Sequence, residues 1–312
     1  MQPCSRLLLS AAGLSLAIPA SNDTMKDLPW LCSWRRPRLF GHGNQAVVFL
    51  THTLSDRIYN HFLRLKNETK VHMDSFLCLH RTEGCDGEGV ADFIVSGREE
   101  ENTLPARFAE KIRRGGSITP GFVDLAFMPA LLSPKLSSYE YLWTIEYDVD
   151  FAGHWSEFFL PLLSSRADLM GTTFYSQADC PGWDLWAWFK APEVVSRQHY
   201  IRSFGPIVRF SRRMLKAYVT AVEQETWRGH FEALFPAIAS YNSFALEDLG
   251  GNGPFTPASR RGKNYINTPS PDGYLTPGTF VHAPAIGTAY FHEAPEHFSP
   301  RGYLWHPIKP GV

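Results

Sequence analysis

Three acidic residues alternate at the end of an apolar segment of this 312-residue chain. The segment at 141–151 reads YLWTIEYDVDF, and its acids are Glu146, Asp148 and Asp150. Because residues two apart on an extended strand share a face, the three carboxylates are expected on one side of the strand end. Like charges packed this closely are costly unless a cation lies between them, and Mg²⁺ and Mn²⁺ prefer carboxylate oxygens. The pattern therefore predicts a divalent-cation site, the alternative being a polar strand end in water.

Apolar runs and helical patterns alternate around these acids. The run AVVFLT predicts a buried strand, and the apolar residues Ile58, Phe62 and Leu65 after it have helical spacing. Further strands are predicted at 71–80, 91–96, 141–149 and 168–173, and a further helix at 121–132. This alternation predicts an α/β fold whose mostly parallel central sheet is flanked by helices. In such sheets ligands gather at the carboxyl ends of strands, which is where the acids lie.

The second half of the chain has a different character. Residues 203–216 indicate a strand or turn that enters a basic helix, and residues 229–239 predict a helix. Residues 249–279 are rich in Gly, Pro, Ser and Thr and predict a long structured loop, and the tail at 280–309 holds short strand-like pieces.

Composition limits the partners and leaves the location open. The formal net charge of −1 gives no indication of a nucleic-acid surface, and 44% hydrophobic residues are typical of a globular protein. Residues 1–24 contain the apolar stretch LLLSAAGLSLAIPAS, which predicts a signal or anchor unless Met25 is the true start. The first alternative predicts an exported or anchored protein, and the second a cytoplasmic or peripheral membrane protein.

Four features together resemble nucleotide-sugar glycosyltransferases of the GT-A fold over residues 45–309. They are AVVFLTH near the start of the α/β half, the Asp148-Val149-Asp150 motif, the helix start GHFE followed by Glu247-Asp248, and the histidine of YLWHPIK. The resemblance implies a single GT-A-like, Rossmann-related domain. Residues 45–175 would bind the nucleotide sugar and residues 176–309 the acceptor.

The resemblance also implies an activity. It is the metal-dependent transfer of a sugar, of hexosyl or N-acetylhexosaminyl type and with inversion, from a nucleotide-sugar donor to a glycan or other hydroxyl acceptor. Asp150 is the first expected metal ligand, Asp148 binds the metal or the donor ribose, and His306 completes the coordination of Mn²⁺ or Mg²⁺. Glu146 lies deepest in the strand and is expected in a salt bridge instead.

Inverting transfer further requires a base that takes the proton of the acceptor hydroxyl. Glu232 is the first candidate and Asp248 the second. Each has a structural alternative, because a helix dipole favours an acid in the first turn and Asp is common in turns. Arg209 of RFSRR could bind the donor diphosphate, because arginine forks match phosphate oxygens, or it could lie on a solvated helix face.

Other functions are compatible with parts of the pattern. A metal-dependent phosphoester hydrolase would use the same acids, and a non-catalytic carbohydrate-binding or scaffold protein would keep only the surface. Trp183, Trp186 and Trp188 could stack on sugars or fill a core. The motif HEAPEH at 292–297 superficially suggests zinc, but Pro295 interrupts the helix that would align its ligands.

Overall fold

The computed structural model describes residues 44–80, 89–95, 123–224, 227–282 and 298–308. The sequence predictions for 1–24 and for HEAPEH lie outside these ranges. The strands are β1 (Gln45–Thr51), β2 (Asp74–His80), β3 (Phe93–Val95), β4 (Tyr141–Glu146), β5 (Asp150–Phe151), β6 (Leu169–Ser176), β7 (Ile201–Ser211), β8 (Leu246–Asp248) and β9 (Leu304–Trp305). The α-helices are α1 (Asp56–Thr69), α2 (Val123–Leu131), α3 (Trp155–Phe159), α4 (Arg212–Glu223) and α5 (Phe231–Tyr241).

A seven-stranded sheet organises these elements in the order β3-β2-β1-β4-β7-β6-β8. Strand β1 pairs in parallel with β2 and β4, β2 with β3, and β6 with β8. Only β7 runs antiparallel to its two neighbours, β4 and β6. The prediction of a mostly parallel sheet flanked by helices is thus confirmed, and the reversed β7 is the feature that the sequence did not indicate.

Strand β1 is apolar along its whole length because both of its faces are covered. Ala46 and Val48 pack in the hydrophobic cluster that contains α2, α4 and α5. Val47 and Phe49 point to the other face and pack with α1 and α3. The two clusters therefore hold helices against opposite faces of the sheet.

Helix α1 contains the three apolar residues whose spacing predicts a helix. The Ser55 hydroxyl accepts a hydrogen bond from the Ile58 amide (3.4 Å), which caps the first turn. Ile58, Phe62 and Leu65 form its buried stripe. None of the helices in the described part of the chain is both long and apolar enough to cross a membrane.

Strands β5 and β9 form a separate two-stranded sheet beyond the end of β4. Asp150 pairs with Trp305 and Phe151 with Leu304 in antiparallel register. The tail of the chain is thereby held beside the segment that follows β4.

Candidate functional site

A cluster of two carboxylates and one imidazole lies at the carboxyl end of β4. Glu146 is the last residue of this strand, Asp148 follows it in a turn, and His306 comes directly after β9. One ligand atom from each of the three lies within 4.8 Å of the other two. Asp148 and His306 are buried, and Asp148 Oδ1 is 3.7 Å from His306 Nε2.

Backbone hydrogen bonds from the tail hold His306 against the acids. The amide of Ile308 donates to the carbonyl of Asp148 (2.8 Å), and the amide of His306 donates to the carbonyl of Thr279 (2.9 Å). Together with the β5–β9 pairing, these bonds bring the end of the chain to the end of β4. The site therefore forms only when the tail is docked.

The orientation of the His306 ring leaves Nε2 facing the acids. Its Nδ1 lies 2.7 Å from the carbonyl oxygen of Val281, and a carbonyl can only accept a hydrogen bond. Nδ1 must therefore carry a hydrogen, which places the lone pair of the neutral ring on Nε2. Metal-binding histidines commonly hold their second nitrogen in this way, because the bond sets both tautomer and ring direction.

The chemistry of these donors suits a divalent cation. Two carboxylates next to each other repel, and a cation between them removes that cost. Carboxylate oxygens are hard ligands that fit Mg²⁺ and Mn²⁺, and the single imidazole is compatible with Mn²⁺. Glu146, Asp148 and His306 are the residues that could hold the ion.

Asp150 lies outside this cluster, although the sequence analysis ranks it as the first metal ligand. Its two carboxylate oxygens accept hydrogen bonds from Arg64 Nη1 (2.9 and 3.1 Å), and His61 Nε2 is 3.4 Å from Oδ1. Burial alone would raise the pKa of Asp150, but His61, Arg64 and the amide of Phe151 together hold that pKa below its ordinary value. Asp150 thus fastens α1 to β5.

The departure from the expected common face has a local cause. The chain leaves the extended conformation after Glu146, and the amide of Val149 donates to the carbonyl of Glu146 (3.0 Å) to close a turn. The period of two therefore stops at Glu146, and Asp148 and Asp150 do not continue it. Glu146, for which the sequence predicts a salt bridge, lies beside Asp148 and His306.

Glu232 lies in the first turn of α5 and is almost completely buried. Its Oε1 accepts a hydrogen bond from the amide of Gly205 (2.8 Å), and its Oε2 is 3.7 Å from Nδ1 of His230. Burial raises the pKa of Glu232 to about 7, although the charge of Arg202 and the Gly205 hydrogen bond act in the opposite direction. The carboxyl group is therefore able to exchange its proton near neutral pH.

His230 and Arg202 surround this acid. His230 caps α5, because its Nδ1 accepts from the amide of Glu232 (3.3 Å), and burial, Arg202 and His282 lower its pKa to about 3. The ring is therefore neutral, and the lone pair of its Nδ1 accepts the hydrogen bond from the Glu232 amide. Arg202 lies over the ring of Trp183 (4.4 Å) and donates to the carbonyl of Gly273 (2.9 Å).

Phe204 connects Glu232 to the cluster of Glu146, Asp148 and His306. Its ring contacts His306, with 5.2 Å between ring centroids, and His282, with 6.1 Å. The next residue, Gly205, binds Glu232. The structure thus brings Glu232 and the cluster to the same region of β7.

Asp248 has a different environment from Glu232. Its Oδ1 accepts from the amides of Gly250 and Gly251 (2.8 Å each), and its Oδ2 accepts from the amide of Thr173 (2.8 Å) and the hydroxyl of Tyr265 (2.6 Å). The side chain is fully buried. With four donors on two oxygens, this carboxylate shapes the loop after β8, which agrees with the turn-forming alternative.

Arg209, the candidate for diphosphate binding, lies at the other end of the sheet. Arg209 pairs with Trp143 of β4, which comes three residues before Glu146. These three residues correspond to about 10 Å along the strand. Its guanidinium donates to the carbonyls of Leu162, Ser165 and Ala167, and burial lowers its pKa to about 10. The structure does not bring Arg209 to the cluster.

Sequence reasoning missed the surroundings of Glu232. Arg202 and His282 have no motif around them, and the turn after Glu146 has no glycine or proline to mark it. The one available signal was His230, because a polar residue directly before an acid-bearing helix is a capping pattern.

Comparison with known proteins gives matches at the level of solved structures only. No protein-family model matches the sequence, and a search of the curated proteins finds no match. Glucosyl-3-phosphoglycerate synthase from Mycobacterium tuberculosis, in complex with Mn²⁺, UDP and glucosyl-3-phosphoglycerate, is similar over 70% of this chain and 76% of its own, with 13% identity and a TM-score of 0.39.

Two fungal proteins match comparably. The mannosyltransferase Ktr4p from S. cerevisiae covers 66% of this chain and 68% of its own, with 9% identity and a TM-score of 0.35. Core-mannan synthase A from Aspergillus fumigatus, in an Mn/GDP form, covers 69% and 75%, again with 9% identity and a TM-score of 0.35. At such identities and scores the matches establish neither the reaction nor the ligands of this chain.

Proposed function

We propose that this protein is a divalent-cation-dependent glycosyltransferase that moves a sugar from a nucleotide-sugar donor to a hydroxyl acceptor. The observation that carries the proposal is the cluster of Glu146, Asp148 and His306 at the carboxyl end of β4. From β1 the sheet extends to β2 and β3 on one side and to β4 on the other, so the strand order reverses between β1 and β4. Ligands of open α/β sheets bind at such a reversal, beyond the carboxyl ends of the strands.

Glu146, Asp148 and His306 would hold Mn²⁺ or Mg²⁺ in this enzyme. Glu146 thus takes the place that the sequence analysis gave to Asp150, because the carboxylate of Asp150 is occupied by Arg64. When bound, the cation neutralises the charge that develops on the diphosphate leaving group. Asp148 remains the ligand that would also contact the donor.

Glu232 is the proposed base. A pKa of about 7 is matched to taking a proton from a hydroxyl at neutral pH, because an appreciable fraction of the carboxylate is then ionised. The proton of the acceptor hydroxyl passes to Glu232 as the hydroxyl oxygen attacks the donor sugar. This role corresponds to transfer with inversion. The transferred group in our proposal is a hexosyl or N-acetylhexosaminyl group, as the family resemblance implies.

A thermal-shift experiment tests the function. The full chain is heated with and without Mn²⁺, in the presence of UDP, GDP and their sugar conjugates. We expect Mn²⁺-dependent stabilisation by at least one nucleotide, of about 2.7 kcal/mol at a ligand concentration one hundred times Kd. The response should be lost in Asp148→Asn and in His306→Ala, and retained in Glu193→Gln, which changes an exposed acid away from the cluster.

The rival function predicts a different result. A metal-dependent hydrolase would release nitrophenol from bis-p-nitrophenyl phosphate without any acceptor. Hydrolysis that depends on Asp148, combined with no response to any nucleotide, would contradict the proposed transferase.

A further inference from the structure

Trp188 and Tyr274 are the most exposed of the Phe, Trp and Tyr side chains that the structure describes. Their exposed fractions are 73% and 60%, against 40% for Tyr241, the next in order. Single exposed hydrophobic residues are common on protein surfaces. These two differ because both lie on segments that pack against the surroundings of Glu232.

The segment of Trp188 is clamped to the chain that enters α5. Lys190 and Arg228 exchange two backbone hydrogen bonds (2.8 and 2.9 Å). Gly229 has a φ of +135°, and a Cβ there would lie 3.1 Å from the carbonyl oxygen of Trp188. From Gly229 to Glu232 there are three residues, which span at most about 11 Å. The backbone of Trp188 is therefore held beside the segment that leads to Glu232.

The segment of Tyr274 packs against Arg202 and Trp183, which belong to the same surroundings. Gly273, the residue before it, accepts from Arg202 and is so close to Trp183 that a Cβ would lie 2.4 Å from its Cδ1. The carbonyl of Pro271 accepts from the amide of Gly182 (2.8 Å). The ring of Trp183 in turn contacts His230 (6.1 Å between ring centroids), so the segment of Tyr274 is connected to Glu232 through these two rings.

We propose that Trp188 and Tyr274 form an acceptor platform on which a carbohydrate acceptor stacks, so that one of its hydroxyls faces Glu232. The proposal rests on the proposed function, because it assigns the acceptor class of that same site. One face of a pyranose ring carries mainly C–H groups and packs on an aromatic ring, while its hydroxyls remain available to polar neighbours. Exposed aromatic side chains with an apolar body are suited to such ligands.

The charges around Trp188 favour a sugar over a membrane surface. Residues 184–197 contain two acids, Asp184 and Glu193, and two bases, Lys190 and Arg197, and all four are exposed. Binding to an anionic bilayer relies on a cluster of basic residues, whereas this segment is balanced. The basic side chains of this segment can donate hydrogen bonds to the hydroxyls of a carbohydrate, and its acidic side chains can accept them.

An oligosaccharide array tests the platform. The full chain is applied to linear oligosaccharides of mannose, glucose, galactose and N-acetylglucosamine, and Kd is measured for those that bind. We expect Trp188→Ala and Tyr274→Ala each to weaken binding by up to about tenfold, and Trp188→Phe to restore most of it. Val194→Ala is the matched control, because Val194 is 78% exposed on the same segment but has no ring.

Three results would overturn the platform. They are unchanged binding in Trp188→Ala, binding of no oligosaccharide by the unaltered chain, and Trp188-dependent sedimentation with phosphatidylcholine–phosphatidylserine vesicles in place of glycan binding. Each variant is also tested for its Mn²⁺-dependent response to UDP and GDP, which shows that it is folded. If the unaltered chain shows no Mn²⁺-dependent response to UDP or GDP, the transferase function itself is contradicted. The array would still decide whether Trp188 and Tyr274 bind carbohydrate.

Discussion

Asp148 and Asp150 are both buried beyond the end of β4, and their carboxylates have different neighbours. Asp148 lies beside Glu146 and His306, so its carboxylate repels that of Glu146 when no cation is bound. Asp150 is paired with the guanidinium of Arg64, which is about a quarter exposed. The two residues should therefore affect stability and metal binding in opposite ways.

Exchange of each aspartate for asparagine separates the two roles. We expect Asp150→Asn to lower the free energy of unfolding by about 1–3 kcal/mol, because Arg64 and His61 lose this carboxylate while Glu68 still pairs with Arg64, and to leave the Kd for Mn²⁺ unchanged. Asp148→Asn should abolish Mn²⁺ binding with little loss of stability in the absence of metal. Urea unfolding with and without Mn²⁺ measures both quantities, and the reverse pattern would restore Asp150 as the ligand.

The pKa of Glu232 predicts how the reaction rate depends on pH. Because a base acts in its ionised form, kcat/KM should fall about tenfold per pH unit below about 7. Glu232→Gln should remove this acidic limb of the pH profile, so that kcat/KM no longer falls below about pH 7. It should also lower the rate by about 10²–10⁴-fold. Initial rates from pH 5 to 9 give the profile.

Arg202 supplies an independent check on this assignment. Its positive charge lowers the pKa of Glu232, so Arg202→Gln should shift the limb to higher pH, whereas Arg202→Lys should leave it near its original position. A limb that does not respond to Arg202 would belong to another group.

The same pKa predicts a dependence of stability on pH. Burial raises the pKa of Glu232 from 4.5 to about 7 in the folded protein, so the folded state holds a proton that the unfolded state has released between these values. Stability from this group is present below pH 4.5 and is lost as pH rises to about 7, by about 3 kcal/mol at most. Relative to Glu232→Gln, the unaltered protein should therefore lose stability between pH 4.5 and about 7. Chemical denaturation at several pH values measures this difference. If the free energies of unfolding of the two proteins change with pH in parallel, the pKa of Glu232 is not raised.

At the scale of elements, the contact between α5 and β7 positions Glu232. A Cβ on Gly205 would lie 2.4 Å from Cε2 of Phe231, so only glycine allows the first turn of α5 to approach the strand this closely. Phe231 is itself buried and packs against Phe127 and Phe235, so a shift of its ring would disturb these contacts. The hydrogen bond from Gly205 to Glu232 depends on this approach.

Gly205→Ala should therefore damage the site more than the fold. We expect a loss of about 1–3 kcal/mol in the free energy of unfolding from overpacking, together with loss of the pH limb at about 7. Adding Phe231→Leu should restore part of both. Gly253→Ala is the matched control, since a Cβ there meets ordinary contacts of 3.4 Å or more, and an equal effect at both glycines would exclude the steric cause.

At the scale of the whole molecule, the site joins the middle of the chain to its tail. His306 reaches the acids only because β9 pairs with β5 and the amide of Ile308 donates to Asp148. A cation bound by Glu146, Asp148 and His306 would add a bond between these two parts. Metal binding and docking of the tail should therefore be coupled.

Hydrogen exchange tests this coupling. The amides of Leu304, His306 and Ile308, which donate to carbonyls of other segments, should exchange more slowly with Mn²⁺, by about 100-fold at one hundred times Kd if they exchange when the tail opens. Amides of β1 should not change. Asp148→Asn should remove the protection, and slower exchange that persists in this variant would place the metal elsewhere.

Local patterns determined much of this architecture. The apolar run of β1, the stripe of Ile58, Phe62 and Leu65 and the pattern of α5 predict their elements correctly, because the periods of strands and helices are properties of neighbouring residues. The alternation of these elements is sufficient to predict a mostly parallel sheet. Asp148 and His306 were also recognised as candidate ligands, although 158 positions separate them in the numbering.

The partners of individual side chains were decided by tertiary structure alone. Asp150 is paired with an arginine 86 positions away, on a helix that the sequence does not relate to it. Arg209 is in a motif that suits phosphate, but the antiparallel direction of β7 carries it to the opposite end of the sheet from Glu146. By itself the sequence determined where acids, strands and helices occur, because these follow from local spacing. Only the folded chain decided which acids meet, because a turn after Glu146 and the docking of the distant tail set the directions of their side chains.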